Sequence, residues 1–222
     1  PPTYNGSSPT TVRVKDLYTT SFKVQLDEWN YLDGIHFTER ADLIVLESGF
    51  QNVDGMSVVA RKSDIDHNWS TFNFGNFSSP PVVIAQCVTY NGSDAVTVRI
   101  RNVTTSSFQM KLQEEEARGS HVTESVCWAA FEVGKYTYFE VKRINNVTDS
   151  WEYVANDSDL NDCYILAGMQ TYNGIDPAAL RVIRDSGTGN FSIKVEEEQS
   201  NDLETTHVGE TIGLVLCNYG CK

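Results

Sequence analysis

The sequence lacks any apolar run long enough to span a membrane as a helix, which takes about 20 consecutive apolar residues. Basic residues are also scarce, with 17 Lys and Arg against 30 Asp and Glu and a net charge of −13. Proteins use clustered Lys and Arg to bind phosphates and anionic headgroups. We therefore predict no nucleic-acid partner and no membrane insertion. The acidity is typical of a soluble secreted protein, and calcium binding is the alternative interpretation.

Catalytic motifs are missing as well. The sequence contains no Gly-x-Ser-x-Gly and no Gly-x-Gly-x-x-Gly, and its Ser, His and Asp residues do not fall in a consistent frame. The chain has four His, so it has few groups that titrate near neutral pH. These absences predict a non-enzymatic protein.

Cysteine is sparse and odd in number, while acceptor sites for N-glycosylation are dense. The five Cys match no zinc-ligand spacing and fit an oxidising milieu. Eight Asn-x-Ser/Thr sequons occur in 222 residues, and such sequons are glycosylated in secreted proteins. We therefore predict an extracellular or cell-surface glycoprotein. The candidate acceptors are Asn5, Asn68, Asn76, Asn91, Asn102, Asn146, Asn156 and Asn190.

One repeat occurs three times along the chain. The triplet Tyr-Asn-Gly begins at Tyr4, Tyr90 and Tyr172, and an Arg between aliphatic neighbours follows nine residues after each Tyr. A Phe, a Glu, a His-x-x-Glu motif and an aliphatic run then follow at near-equal offsets. The period is 86 and then 82 residues, which is the size of a small domain rather than of a solenoid unit.

The apolar residues within a repeat alternate with period two. Phe108, Met110 and Leu112 alternate with polar residues, which is typical of a half-buried strand. Turn signals such as Asn91-Gly92 separate these runs, and no long apolar stripe of helical period occurs. The pattern predicts an all-β fold of tandem antiparallel sandwiches.

We divide the chain into repeat 1 (residues 1–49), repeat 2 (50–134) and repeat 3 (135–222). In repeats 2 and 3 a Trp stands 21 residues before the Tyr-Asn-Gly triplet, at Trp69 and Trp151, and strand-like runs fill the interval. Repeat 1 has no such front half. A sandwich without these strands exposes an apolar face, so we expect an upstream segment or a strand from a neighbouring molecule to complete it.

These residues resemble the H-type lectin domain, the fold of snail agglutinins and of the C-terminal domain of discoidins. The likeness is best in repeat 2, at residues 77–83, 98–104, 107–108 and 126–128, and the other repeats follow the same frame. Residues 28–36 are similar to repeats of large secreted bacterial proteins. The resemblance implies six-stranded antiparallel sandwiches, trimeric assembly, and binding of galactose-type sugars such as N-acetylgalactosamine between subunits.

In that family an Arg, a Trp-His pair and a Tyr hold the sugar. The Trp position is aromatic only in repeat 1, because repeats 2 and 3 have Glu115 and Glu198 there. The recurring Arg also has an alternative interpretation as a cross-strand partner within a sheet. The resemblance implies carbohydrate contacts at Arg13, Trp29, Asn30, Phe37, Arg99 and Arg181.

A Glu and a His-x-x-Glu motif recur together in all three repeats. Recurrence favours a buried hydrogen-bond network that stabilises each sandwich over a catalytic centre, and a zinc site is the alternative. The network residues are Glu28, His36, Glu39, Glu114, His121, Glu124, Glu197, His207 and Glu210.

The cysteines are confined to repeats 2 and 3. Cys87 and Cys127 lie in predicted strands of one sandwich, so we predict a bridge between them. Cys163 is predicted to pair with Cys217 or Cys221 and to leave the other for a partner chain.

Two classes of function follow from these patterns. The first is carbohydrate binding or adhesion, with glycans as partners and self-association as a trimer. The alternative is a structural subunit of an extracellular filament or matrix, in which repeat 1 accepts strands by β-complementation. An accessory domain fragment of a large secreted enzyme is a third class.

Overall fold

The computed structural model describes residues 1–155, 163–185 and 189–218. Over these ranges every regular element is a β-strand, all strand pairs are antiparallel, and no helix occurs, which confirms the predicted all-β class. No helix suited to crossing a membrane is therefore found in the described residues. The strands are β1 (Thr10–Lys15), β2 (Lys23–Glu28), β3 (Gly49–Val53), β4 (Met56–Ile65), β5 (Ser70–Asn73), β6 (Val82–Cys87), β7 (Thr97–Arg101), β8 (Ser107–Gln113), β9 (Glu124–Phe131), β10 (Gly134–Lys135), β11 (Phe139–Val147), β12 (Glu152–Val154), β13 (Tyr164–Met169), β14 (Ala178–Arg184), β15 (Phe191–Glu197) and β16 (Glu210–Cys217).

Repeat 2 is a sandwich of a four-stranded sheet, β3-β4-β9-β6, and a three-stranded sheet, β5-β8-β7. The alternation in β8 buries Phe108, Met110 and Leu112 completely, while the residues between them are partly exposed. Trp128 of β9 packs edge-on against Phe108 with ring centroids 5.0 Å apart. The two sheets therefore share one core, as the period-two pattern predicts.

Repeat 3 has the same architecture, with a four-stranded sheet β10-β11-β16-β13 and a three-stranded sheet β12-β15-β14. Seven strands of each of these two repeats are described, one more than the six that the resemblance implies, because β3 and β10 add an outer strand. The first strands of these two sandwiches begin at Gly49 and Gly134.

Repeat 1 contributes only the hairpin β1–β2 to the described sheets. Its register matches that of β7–β8 and β14–β15, since Arg13 opposes Gln25 as Arg99 opposes Lys111. A separate apolar cluster joins the repeats, because Phe131 of repeat 2, Val215 of repeat 3 and Ile44 of repeat 1 all pack into it. The repeats therefore share a central core and are not separate domains joined by linkers.

The predicted disulfides are wrong for the described cysteines, and strand register gives the reason. Cys127 lies opposite Gln86, one residue out of step with Cys87, so the two side chains point to opposite faces of the sheet. Both are free thiols, and Cys163 is a buried free thiol. Cys163 likewise precedes the residue that pairs with Cys217, which sets those two side chains on opposite faces. Cys221 lies outside the described residues.

Candidate functional site at the joints between repeats

The Arg of repeat 1 is fully buried, and most of its partners lie in repeat 2. The guanidinium of Arg13 donates to the carbonyl oxygens of Thr89 (3.1 Å) and Asp94 (3.0 Å). It also forms an ion pair with Glu124 at 3.2 Å, and it lies 4.5 Å above the centre of the Tyr90 ring. An isolated buried cation is costly. These contacts, which pair both terminal nitrogens of the Arg13 guanidinium, form only while repeats 1 and 2 are in contact.

The Arg of repeat 2 makes the same set of contacts with repeat 3. Arg99 is fully buried and donates to the carbonyl oxygens of Gly174 (3.2 Å) and Asp176 (2.9 Å). It pairs with Glu210 at 3.1 Å and lies 4.6 Å above the centre of the Tyr172 ring. Burial lowers the pKa of this guanidinium, and the charge of Glu210 opposes the shift.

The Arg of repeat 3 returns to repeat 1. Arg181 donates to the carbonyl oxygens of Gly6 (2.7 Å) and Ser8 (2.8 Å). It lies 3.5 Å from a carboxylate oxygen of Glu39 and 4.3 Å above the centre of the Tyr4 ring. Contacts therefore run from repeat 1 to 2, from 2 to 3 and from 3 to 1. We call each of these three contact sets a joint, and together they close a ring.

The carboxylate in each joint is the Glu of His-x-x-Glu. Glu124 accepts hydrogen bonds from the backbone amides of Asn91 (2.8 Å) and Gly92 (2.9 Å) and from the Thr89 hydroxyl (2.5 Å). Burial disfavours its charged form, but these bonds and one with His121 outweigh burial and lower the pKa of Glu124. In the other two joints, hydrogen bonds to the carboxylate likewise outweigh burial and lower the pKa of the equivalent residues, Glu39 and Glu210.

The His of each joint bridges two carboxylates. Nδ1 of His121 lies 2.7 Å from Glu114, and Nε2 lies 3.1 Å from Glu124. Each ring nitrogen therefore lies within hydrogen-bond distance of a carboxylate, as the predicted buried network requires. The other two sets are His36 with Glu28 and Glu39, and His207 with Glu197 and Glu210. The structure thus brings together all nine residues of the predicted network, three in each joint.

Each member of the Tyr-Asn-Gly triplet has its own contact in the joint. The Tyr ring receives the Arg, and the Asn side chain donates to a backbone carbonyl, as from Asn91 to Thr123 at 2.8 Å. The Gly leaves room for the His ring, because a Cβ on Gly92 would lie 2.7 Å from Cε1 of His121. The recurrence of the triplet signalled its importance, but these roles depend on contacts between segments far apart in sequence.

The residues implied by the lectin resemblance do not form one open site. Trp29 is 1% exposed, and Asn30 lies in the first joint, where its side chain contacts Asp94. Phe37 alone among them presents an open aromatic face and is 72% exposed. The assignment of the three arginines as sugar contacts is corrected by their burial, because their guanidinium groups bind the next repeat instead. Sugar binding by the chain as a whole stays a prediction.

An acidic pair lies at the joint between repeats 2 and 3. The carboxyl of Glu116 hydrogen-bonds that of Asp176, and this contact, burial and neighbouring negative charges raise the pKa of Glu116 to about 7. Carboxylate oxygens of Asp176, Glu197 and Glu204 also lie within 4.8 Å of one another. Calcium takes six to eight oxygen ligands, so these three groups would supply only part of a shell. Calcium binding stays a prediction.

The sequon asparagines are mostly accessible. Asn5, Asn68, Asn76, Asn91, Asn102 and Asn146 are exposed, and Asn190 is partly buried. Asn156 lies outside the described residues. The side chains of Asn5 and Asn91 also donate hydrogen bonds in their joints.

The chain is similar in sequence to part of a known protein. The chain is 24% identical over 217 residues to halomucin of Haloquadratum walsbyi (strain DSM 16790 / HBSQ001). The match covers 93% of this chain and 2% of halomucin, so the chain corresponds to a small part of a far longer protein. No family model matches the sequence, and no solved structure matches it.

Proposed function

We propose that the chain is a non-enzymatic structural module of an extracellular protein, in which three repeats are locked into one rigid ring. The observation that supports this proposal most directly is the cyclic order of the joints. Arg13, Arg99 and Arg181 are each fully buried, and the terminal nitrogens of each donate hydrogen bonds to the following repeat.

The energetics of the joints favour permanent closure. Removing one member of a buried ion pair costs about 3–5 kcal/mol, because the other charge is left unpaired. Domains are stable by only about 5–15 kcal/mol in total. Opening a joint would expose one Arg and one Glu to solvent or leave them buried without a partner. Separation of the repeats is therefore expected to be coupled to unfolding.

An extracellular location is supported by two observations. Six of the eight sequon asparagines are exposed. The relative carries the name halomucin, which is formed on the word mucin, and the chain matches only 2% of its length. We therefore propose that the module is one unit of a longer surface or secreted glycoprotein.

Ring closure is tested by Arg99→Met, which removes the charge and keeps most of the side-chain volume. Glu210 is then buried without its ion-pair partner, so the free energy of unfolding should fall by about 3–5 kcal/mol in urea titrations. The wild-type chain should unfold in one calorimetric transition. Arg61→Met is the matched control, because Arg61 is exposed. Separate transitions for the repeats, or equal effects of the two substitutions, would contradict the proposal.

Carbohydrate binding is a second candidate function, favoured by the exposure of Phe37. An open aromatic ring next to polar groups is a platform for the C–H face of a sugar. A glycan array should then show binding that is lost in Phe37→Ala and kept in Phe50→Ala, since Phe50 is 71% exposed and provides a matched control. Equal binding by both variants would remove Phe37 from the site.

A further inference from the structure

Repeat 1 contains a segment that should be a central strand but pairs with no strand of the described residues. Glu39 occupies the place of Glu124 and Glu210, which begin β9 and β16. β9 is paired on both sides, by β4 and β6, and β16 is paired by β11 and β13. Residues 39–46 form no strand, and Val45 within them is 78% exposed. This segment has the sequence of a buried strand and lacks the two strands that would hold it.

The hairpin of repeat 1 has an uncovered face in the same region. Phe22 and Val24 are 36% and 37% exposed on the side of β2 that corresponds to the core. Their equivalents are fully buried, namely Phe108 and Met110 in β8 and Phe191 and Ile193 in β15. In repeats 2 and 3 the outer edges of those strands also pair with β5 and β12, whereas β2 pairs only with β1.

Two cavities lie where the absent strands would be. An apolar cavity of about 360 Å³ is lined by Pro1, Pro2, Val14, Phe22 and Leu43, among others. The core-facing side of repeat 1 is therefore open next to Pro1 and Pro2.

The second cavity, of about 510 Å³, lies beside Tyr90 and Lys15. At the other two joints a Trp of the front half fills the corresponding place. Trp69 packs edge-on against Tyr172 with centroids 5.1 Å apart, and Trp151 packs against Tyr4 at 5.4 Å. Tyr90 has no such partner among the described residues.

We propose that this open face of repeat 1 binds a polypeptide segment with the front-half pattern of the repeat, which runs directly into Pro1. Residues 49–86, which begin with β3 and hold the front half of repeat 2, exemplify the segment. It would place strands on both sides of residues 39–46, add one strand to the free edge of β2, and set a Trp against Tyr90. This proposal rests on the proposed structural function, because it completes the third sandwich of the ring.

The two complete repeats of the chain indicate what this occupant is. Both complete repeats cover the same face with the same kind of segment, at a register fixed by the triplet, since Tyr4 corresponds to Tyr90. In repeat 2 the last front-half strand, β6, ends at Cys87, and Pro1 stands at that position of repeat 1. Pro1 and Pro2 line the apolar cavity, so a strand that enters there reaches it without a crossing loop.

The test joins a second copy of residues 49–86 directly ahead of Pro1. We expect amide hydrogen exchange in Lys23–Glu28 and in residues 39–46 to slow at least tenfold, and binding of the dye ANS to fall. A second fusion uses residues 135–168 of repeat 3, which carry the same pattern, so that misfolding of one added segment does not decide the outcome. Both fusions should protect the same two regions.

The control fusion carries Phe72→Asp and Val83→Asp in the added copy only, because both side chains pack in the repeat 2 core. Unchanged exchange in both intact fusions, or equal protection by the control, would overturn the proposal. Protection of β2 in the unfused chain that rises with protein concentration would also overturn it, in favour of a second copy as the occupant. Ring closure is measured separately with Arg99→Met in the unfused chain. A failure of the proposed ring is therefore distinguishable from a failure of the proposed binding to repeat 1.

Discussion

A single glycine in each joint has a defined structural role. The His ring of the joint lies directly over Gly6, Gly92 and Gly174, at distances where a Cβ would overlap it. The same ring is held on both sides by carboxylates, so it has little freedom to move away. A methyl group at this position is therefore expected to strain the whole joint.

Gly92→Ala should lower the free energy of unfolding by about 1–3 kcal/mol, the usual cost of overpacking a filled site. The added Cβ would lie 2.7 Å from Cε1 of His121, and the shift of the ring would weaken its contact with Glu124. Gly119→Ala is the matched control, because a Cβ added to Gly119 would meet no atom within 4 Å. Urea unfolding of both variants measures the difference. Equal stabilities would show that the His ring yields without cost.

At the scale of strands, local pattern predicted most of the architecture. The alternation of Phe108, Met110 and Leu112 identified β8 correctly, because one face of that strand is buried. Residues 39–46 contain five apolar residues, against six in β9, and still form no strand in repeat 1. Strand formation there depends on neighbouring strands, which the composition of a segment does not encode.

The joints could be predicted only in part. Recurrence singled out the arginines, the His-x-x-Glu motifs and the triplets, but not their partners. Arg13 meets Glu124 across 111 positions of sequence, and Arg181 meets Glu39 across 142. Such pairings follow from the arrangement of whole repeats, and one sequence without a structure does not reveal it. The same holds for the register of Cys87 and Cys127.

The register between β6 and β9 leads to a prediction about the two thiols. Adjacent strands place Cys87 and Cys127 on opposite faces, so air oxidation should not join them. Burial raises the pKa of both thiols, which lowers their reactivity further. Thiol titration of the folded chain should show slow modification of Cys87, followed by rapid modification in denaturant. A Cys87–Cys127 peptide in a non-reducing digest would contradict the observed register.

At the scale of the whole molecule the three joints are alike in plan and differ in charge. The first joint places the amide of Asn30 against Asp94, whereas the second places the carboxyl of Glu116 against Asp176. An amide can donate to a carboxylate at any pH, but two carboxyls do so only while they share a proton. The ring therefore has one joint whose strength should depend on pH near neutrality.

The direction of that dependence follows from the pKa of Glu116, which is raised in the folded chain from 4.5 to about 7. The folded state favours the protonated form, so the contribution of this pair is fully present below pH 4.5 and is lost as the pH rises through about 7. Glu116→Gln keeps the donor without the titration. The urea midpoint should therefore fall more for the wild-type chain than for the variant between about pH 5 and pH 8, a range set by the two pKa values of Glu116.

Glu152→Gln serves as the control for this experiment, because Glu152 is exposed and the substitution removes one carboxylate outside the joint. Its pH profile should follow that of the wild-type chain. The lowered pKa values of Glu124 and Glu210 act in the opposite direction, since their contribution is lost as the pH falls below the ordinary range of a Glu carboxyl. Stability should therefore decline on both sides of an optimum, and only the alkaline side should respond to Glu116→Gln. A profile in which Glu116→Gln and Glu152→Gln have the same alkaline slope would mean that the second joint does not titrate.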